Sequence, residues 1–281
     1  MFIFGVLSGF SSAICYSVRF AFVKKLSHFP NLHLNLFYRL ASLPFIFLII
    51  FFADHHLFDF QPSFLITFAF VLLFQFFFNY LQIRVLQKQP LSTVESLGFL
   101  DILFSTLIGI FYFHDRLSLI QMSVISIFIL SFLYLYFNEH HRQKISLDII
   151  LYYLLVSVMG LLGKQTILLS SPITYVTFTT VGLVLGYLSL LSLRRQPFFI
   201  PLNNPDLFKV GVTGLLATLS FVFVGISYQY LPLGLVSVIS SSKIFLSLFL
   251  SRHTFGETNL KPKIVVSFAT FSCLPLLFLV K

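Results

Sequence analysis

The sequence predicts an all-α integral membrane protein with ten transmembrane helices in two inverted five-helix repeats. Three observations predict it: an apolar composition, ten long apolar segments, and a match of the chain to itself at one fixed spacing. The 281 residues are 58% hydrophobic and only 10% charged, with a mean hydropathy of +0.96. Soluble domains carry about 25% charged residues. The composition therefore excludes a water-soluble fold.

Ten apolar segments have the length of membrane spans. A hydrocarbon core about 30 Å thick requires about 20 apolar residues per helix. The connections between the segments are too short to fold as a soluble domain, so any activity must reside within the bilayer. The predicted spans are 2–23, 31–53, 62–86, 91–112, 117–138, 147–169, 172–193, 206–230, 233–252 and 259–280.

The two halves of the chain match each other at a spacing of 142 residues. Chance is the alternative, since prolines often begin membrane spans, but agreement without a gap favours a duplication. The pairs are Pro30 with Pro172, Pro90 with Pro232, and Asp115 with Glu257.

The duplication sets the predicted boundaries. Residues 1–138 form the first five-helix repeat, 139–146 a connecting loop, and 147–281 the second repeat. An odd number of spans reverses the orientation of the second repeat, which is typical of transporters.

The net charge of +9 indicates lipid contact rather than nucleic-acid binding. Basic residues lie at the ends of apolar runs, as in Lys24-Lys25 and Arg194-Arg195, and form no continuous basic face. Such positions contact lipid headgroups. We expect a multi-pass protein of the plasma (inner) membrane of a bacterium, with the bilayer as a partner and no nucleic acid. The oligomeric state is left open.

Enzyme chemistry finds no support in the sequence. All eight histidines fall in or beside predicted connections. There is no HExxH, GxSxG or Walker A motif. Cys15 and Cys273 lie in apolar runs near opposite ends of the chain and have no metal-ligand spacing. We expect neither an enzyme, nor a metal site, nor a cofactor.

Several short motifs resemble those of one membrane-protein family. A first helix rich in small residues leads to Lys24-Lys25, and the second helix carries Phe37-Tyr38-Arg39. The fourth and ninth spans begin with Pro90-Leu91-Ser92 and Pro232-Leu233-Gly234, and the ninth ends in Phe255-Gly256-Glu257. Together these resemble EamA-type members of the drug/metabolite transporter superfamily.

The resemblance implies a secondary active transporter that moves a small polar metabolite, an amino acid or a related compound, by alternating access. A coupling ion or counter-substrate is left open. Ser242-Lys243-Ile244 is closer to the nucleotide-sugar and triose-phosphate translocators, which place a lysine near the substrate phosphate. An exchanger of phosphorylated or nucleotide-linked anions is therefore an alternative. A non-transporting scaffold or lipid-handling protein is the alternative of another class.

Charged residues inside the predicted spans are the main site candidates, because a charge at the bilayer centre costs several kcal/mol unless paired or hydrated. Arg19 and Lys164 lie near span ends, so snorkelling to the interface is one interpretation of each. Arg39 is either a tie between helices or an anion ligand. Asp101 and Lys243 are equivalent at the 142-residue spacing, so we expect them to approach each other, either as a self-neutralising pair or as contacts to a zwitterion or anion.

Polar residues near these charges complete the predicted substrate site. Ser240, Ser247 and Ser251 share a helical face with Lys243 by their spacing. The substrate-binding candidates are Lys243, Asp101, Arg39, Glu95, Tyr16, Asn79, Gln75, Ser240 and Tyr228.

The orientation expected from charge conflicts with the one implied by the resemblance. Odd-numbered connections carry twelve Lys and Arg residues, whereas even connections and the termini carry two, Arg116 and Lys281. The positive-inside rule then places both termini outside, while the resemblance implies cytoplasmic termini. We expect termini outside.

Overall fold

A computed structural model describes residues 1–53, 60–140 and 147–256, together with 264, 265, 268 and 272. These ranges are helical and contain no strand. The helices are α1 (Phe2–Lys25), α2 (Asn31–Ala53), α3 (Ser63–Lys88), α4 (Leu91–Ser96), α5 (Phe99–Phe111), α6 (Leu119–His140), α7 (Leu147–Leu168), α8 (Pro172–Leu193), α9 (Asn204–Tyr230), α10 (Leu233–Ser241) and α11 (Lys243–Phe255).

Eight helical segments of the described ranges are long and apolar enough to cross a membrane. A multi-pass α-helical membrane protein is thereby confirmed. The predicted fifth span corresponds to α6, in which 119–131 forms a shorter apolar helix by the same measure. The predicted tenth span, Glu257 and most of the connecting loop lie outside the described residues.

The predicted fourth and ninth spans are each interrupted by a turn inside the bundle. Leu97 and Gly98 separate α4 from α5, and Ser242 separates α10 from α11. Both short helices follow a proline, Pro90 or Pro232, which lacks an N–H and therefore suits a helix start. An interrupted helix places half-helix ends, with their partial charges, at membrane depth.

Small residues bring α9 close to α1 and α2. Ser12 Oγ donates to the Ser220 carbonyl oxygen at 2.9 Å, and Ser42 Oγ donates to the Gly214 carbonyl at 3.1 Å. A Cβ placed on Gly214 would lie 2.6 Å from the carbonyl carbon of Ala41. Membrane helices associate through such close contacts, because lipid provides no hydrophobic drive between them.

Gly214→Ala should therefore destabilise the protein, because its methyl group meets backbone that cannot move aside. We expect a loss of about 1–3 kcal/mol, typical of overpacking. Thermal unfolding in detergent, followed by circular dichroism, measures it. Gly211→Ala, on the same helix with no atom within 4 Å of its added Cβ, is the matched control and should not lower the midpoint. Equal midpoints for the two variants would contradict this packing.

Candidate functional site

A cavity of about 120 Å³ lies inside the bundle. That volume holds several water molecules at about 10–15 Å³ each. Six of the nine predicted site residues line it: Tyr16, Gln75, Asp101, Tyr228, Ser240 and Lys243. The other three, Arg39, Asn79 and Glu95, do not line it. The interrupted helices contribute to the lining through Asp101 on α5, Ser240 on α10 and Lys243 on α11.

Lys243 forms an ion pair with Glu95. Its Nζ lies 3.4 Å from Glu95 Oε2, and the Glu95 side chain is 1% exposed. Lys243 is the first residue of α11, where the positive end of the helix dipole disfavours a cation. The Glu95 carboxylate, in the last turn of α4, offsets this cost. Lys243 Nζ also lies 4.6 Å from the centroid of the Tyr16 ring.

Asp101 is held by hydroxyl groups and not by Lys243. Ser105 Oγ and Ser157 Oγ donate to its Oδ1 at 3.0 and 3.1 Å. Asp101 and Lys243 line the same cavity, but the direct ion pair of Lys243 is with Glu95 rather than with Asp101. Asp101 lies in the first turn of α5, where the helix dipole favours a carboxylate. It faces the cavity with capacity to accept a further hydrogen bond.

The expected serine face is divided by the turn at Ser242. Ser240 and Lys243 line the cavity, whereas Ser247 Oγ lies 3.5 Å from Ser17 Oγ on α1. Ser17 also donates to the carbonyl of Lys243 at 3.1 Å. Ser247 and Ser251 are fully buried. Ser247 and Ser251 therefore serve helix packing, and only Ser240 and Lys243 belong to the cavity wall.

Tyr16 connects the cavity to a second group of charges. Its hydroxyl accepts a hydrogen bond from Gln82 Nε2 at 2.7 Å, and Gln82 Oε1 accepts one from Arg19 Nη2 at 2.8 Å. Arg19 is 1% exposed, so the snorkelling interpretation is wrong for it. Arg19 and Gln82 were missed as site residues. The spacing of Gln75, Asn79 and Gln82, which places all three on one helical face, could have identified Gln82.

Arg39 lies behind the cavity wall, next to α3. Its Nη2 is 3.5 Å from Asn79 Oδ1, and that same oxygen accepts from Gln75 Nε2 at 3.0 Å. Arg39 is also 1% exposed. The predicted residues Arg39, Asn79 and Gln75 therefore lie together, with only Gln75 reaching the cavity surface.

Residues 3–137 match the EamA-like transporter family. The match covers just under half of the chain, so its first half is similar to that family. This EamA-like half holds α1 to α5 and most of α6, and so supplies Tyr16, Gln75 and Asp101 to the cavity. The resemblance of the sequence to EamA-type transporters is confirmed.

The fold of the whole chain is similar to that of a solved structure described only as "Crystal structure of protein". The TM-score is 0.76 at 14% sequence identity, and the match covers 98% of this chain and 96% of the other. Identity at that level shows a shared fold and nothing about activity. No curated protein matches this chain.

Lys164 connects the EamA-like half to the second half at one end of the bundle. Its Nζ lies 3.4 Å from both carboxylate oxygens of Asp115 and 3.3 Å from the Leu231 carbonyl. Asp115 Oδ2 also accepts from the Leu233 N–H at 2.8 Å, at the start of α10. Lys164 is 6% exposed and paired inside the bundle, which does not fit the interpretation that it snorkels to the interface. The pair ties α7 to the connection between α9 and α10.

Replacing Lys243 with Gln should cost about 3–5 kcal/mol, because it leaves the buried Glu95 carboxylate without its partner. Neutralising both groups, as Glu95→Gln with Lys243→Gln, should restore most of the stability. Thermal unfolding in detergent compares the variants. Asp101→Asn with Lys243→Gln is the matched control and should stay as unstable as Lys243→Gln alone. Rescue by the Asp101 change and not by the Glu95 change would contradict the observed pairing.

Proposed function

We propose that this protein is a secondary active transporter that moves a small polar metabolite by alternating access across the plasma (inner) membrane of a bacterium. One observation carries the proposal: charged residues line a cavity inside the bundle, beside two interrupted helices. Membrane transporters commonly place substrate sites at discontinuous helices near the midplane. Ionisable side chains inside the membrane are expensive and usually mark a pathway or a binding site.

An amino acid or a related compound is the substrate class that the cavity fits best. Asp101 offers a carboxylate whose only direct partners in the described chain are serine hydroxyls. It can bind the ammonium group of a zwitterion. Tyr16, Tyr228 and Ser240 add hydroxyl groups on the same wall. Because Lys243 is already neutralised by Glu95, it supplies hydrogen bonds rather than a free positive charge.

Pseudo-symmetric contacts support two inverted repeats with boundaries near 138 and 147. α1 packs on α9, and their counterparts in the other half, α7 and α3, pack on each other. α2 packs on its counterpart α8. The predicted fourth and ninth spans are also counterparts, and they meet where α5 packs on α10. The helix breaks at Gly98 and Ser242 lie within a few residues of equivalent positions at the 142-residue spacing. The family match also ends at residue 137, next to the proposed boundary.

The runner-up is an exchanger of phosphorylated or nucleotide-linked anions. Lys243 on the cavity wall favours it, because a lysine binds phosphate as a point charge. The ion pair with Glu95 counts against the anion exchanger, since a phosphate would have to compete for Lys243 with the buried Glu95 carboxylate, whose Oε2 lies 3.4 Å from Lys243 Nζ. A scaffold or lipid-handling protein has no need of charged residues on the wall of an internal cavity.

Purified protein in proteoliposomes should take up at least one radiolabelled amino acid, and Asp101→Asn should abolish that flux because it removes the charge that binds the ammonium group. Asp148→Asn is the control. Asp148 is a carboxylate outside the cavity, paired with Arg84 and Lys88, and its loss should leave most of the flux.

Two results would contradict the amino acid assignment. Flux of phosphate esters without flux of amino acids would support the runner-up. Absence of flux for both classes, with correctly folded protein, would support the scaffold alternative.

A further inference from the structure

Two buried arginines share the same aromatic rings beside the cavity. The Cζ atoms of Arg19 and Arg39 lie 5.2 and 5.1 Å from the centroid of the Tyr38 ring. They lie 5.8 and 5.0 Å from the centroid of the Phe221 ring. Residues from α1, α2 and α9 therefore hold two guanidinium groups in one small region of the bundle interior.

No carboxylate of the described chain lies within 4.0 Å of either arginine, although the other buried cations, Lys164 and Lys243, each have one. The acceptors are amide oxygens, Gln82 Oε1 for Arg19 and Asn79 Oδ1 for Arg39. Arginine stays protonated in proteins, so two positive charges are buried with neutral partners and ring faces only. Such an arrangement is costly unless an anion completes it.

Several donors of this cluster have no acceptor. Arg19 Nε and Nη1, Arg39 Nε and Asn79 Nδ2 are buried and make no hydrogen bond within the described residues. A buried donor without an acceptor costs more free energy than a typical hydrogen bond contributes. Guanidinium N–H groups in a planar fork match the two oxygens of a carboxylate or the oxygens of a phosphate.

One layer of side chains separates this cluster from the cavity. Tyr16, Gln75 and Phe221 line the cavity on one side. On the other side Tyr16 lies 5.3 Å from Arg19 Cζ, Phe221 contacts both arginines, and Gln75 is hydrogen-bonded to the Asn79 oxygen that faces Arg39. Gln75, Tyr16 and Phe221 are therefore the side chains that stand between the cluster and the cavity.

We propose that Arg19 and Arg39 form an anion-binding subsite that takes the carboxylate or phosphate group of a small soluble molecule entering from the cavity. The cluster is enclosed by α1, α2, α3 and α9, so a lipid headgroup is not its ligand. The subsite rests on the proposed function in one respect: its ligand enters through the proposed substrate cavity, which Asp101 and Lys243 also line. Its anion binding can be measured without transport.

The test is the thermal midpoint of purified protein in detergent, in sodium acetate, sodium phosphate or sodium chloride at equal ionic strength. At about one hundred times the dissociation constant, acetate or phosphate should raise the midpoint by about 5 °C over chloride. Arg19→Gln and Arg39→Gln should each remove the rise, because each takes away one of the two guanidinium groups. Arg84→Gln, which removes a partly exposed cation paired with Asp148, should keep it.

Arg39→Lys keeps the positive charge but loses the planar fork of N–H donors. This variant replaces Arg39→Gln in the test if the glutamine variant does not fold. It should bind acetate about tenfold more weakly than the unaltered protein. No rise in the unaltered protein with either anion, or an equal rise in the Arg39 and Arg84 variants, would overturn the subsite. A rise obtained only with phosphatidylglycerol would also overturn it, by assigning the cluster to lipid.

Failure of the subsite and failure of the transport proposal give different results. An anion-dependent rise that needs Arg39, without flux of any amino acid, would leave the subsite standing and contradict transport. Amino acid flux that is unchanged in Arg39→Gln, with no anion-dependent rise, would overturn the subsite alone.

Discussion

The structure depends on one constraint: the hydrocarbon core provides no water, so every ionisable group inside a span must find its partner within the bundle. The described spans meet this constraint in three ways. Lys243 and Lys164 take carboxylate partners, Glu95 and Asp115. Asp101 takes serine hydroxyls, and the two arginines take amide oxygens and ring faces. Because all of these partners are inside, the charges lie in the interior of the bundle and not on its lipid-facing surface.

Close helix packing is what allows these partners to meet. Gly214 lets α9 approach α2, and Ser12 with Ser220 joins α9 to α1. Those two contacts bring Phe221 against both Arg19 and Arg39. A larger residue at the contacts would separate the helices and leave the guanidinium groups without their shared rings. The small residues thus determine the geometry of the charged wall, and Ser12 and Ser220 also line the cavity themselves.

Hydropathy was sufficient for most of the fold, because a span requires only length and apolar composition. It could not reveal the turns at Leu97–Gly98 and Ser242, since each turn falls inside a segment that has the length and hydropathy of a single span. The direct partner of Lys243 could not be identified from the repeat: the 142-residue spacing relates Lys243 to Asp101, whereas the structure pairs it with Glu95 on α4. Arg19 was judged by its distance from the end of its helix. Its burial follows from neighbours on three other helices, which one-dimensional spacing does not contain.

The central proposal is that the cavity lined by Asp101 and Lys243 communicates with each side of the membrane in turn. The most direct measurement uses Ser240→Cys in a background without native cysteines, Cys15→Ser with Cys273→Ser. Proteoliposomes then receive a membrane-impermeant thiol reagent either outside or inside. Alternating access predicts labelling of the cavity cysteine from both sides. Labelling from one side only, in protein that reacts fully once solubilised in detergent, would contradict the account.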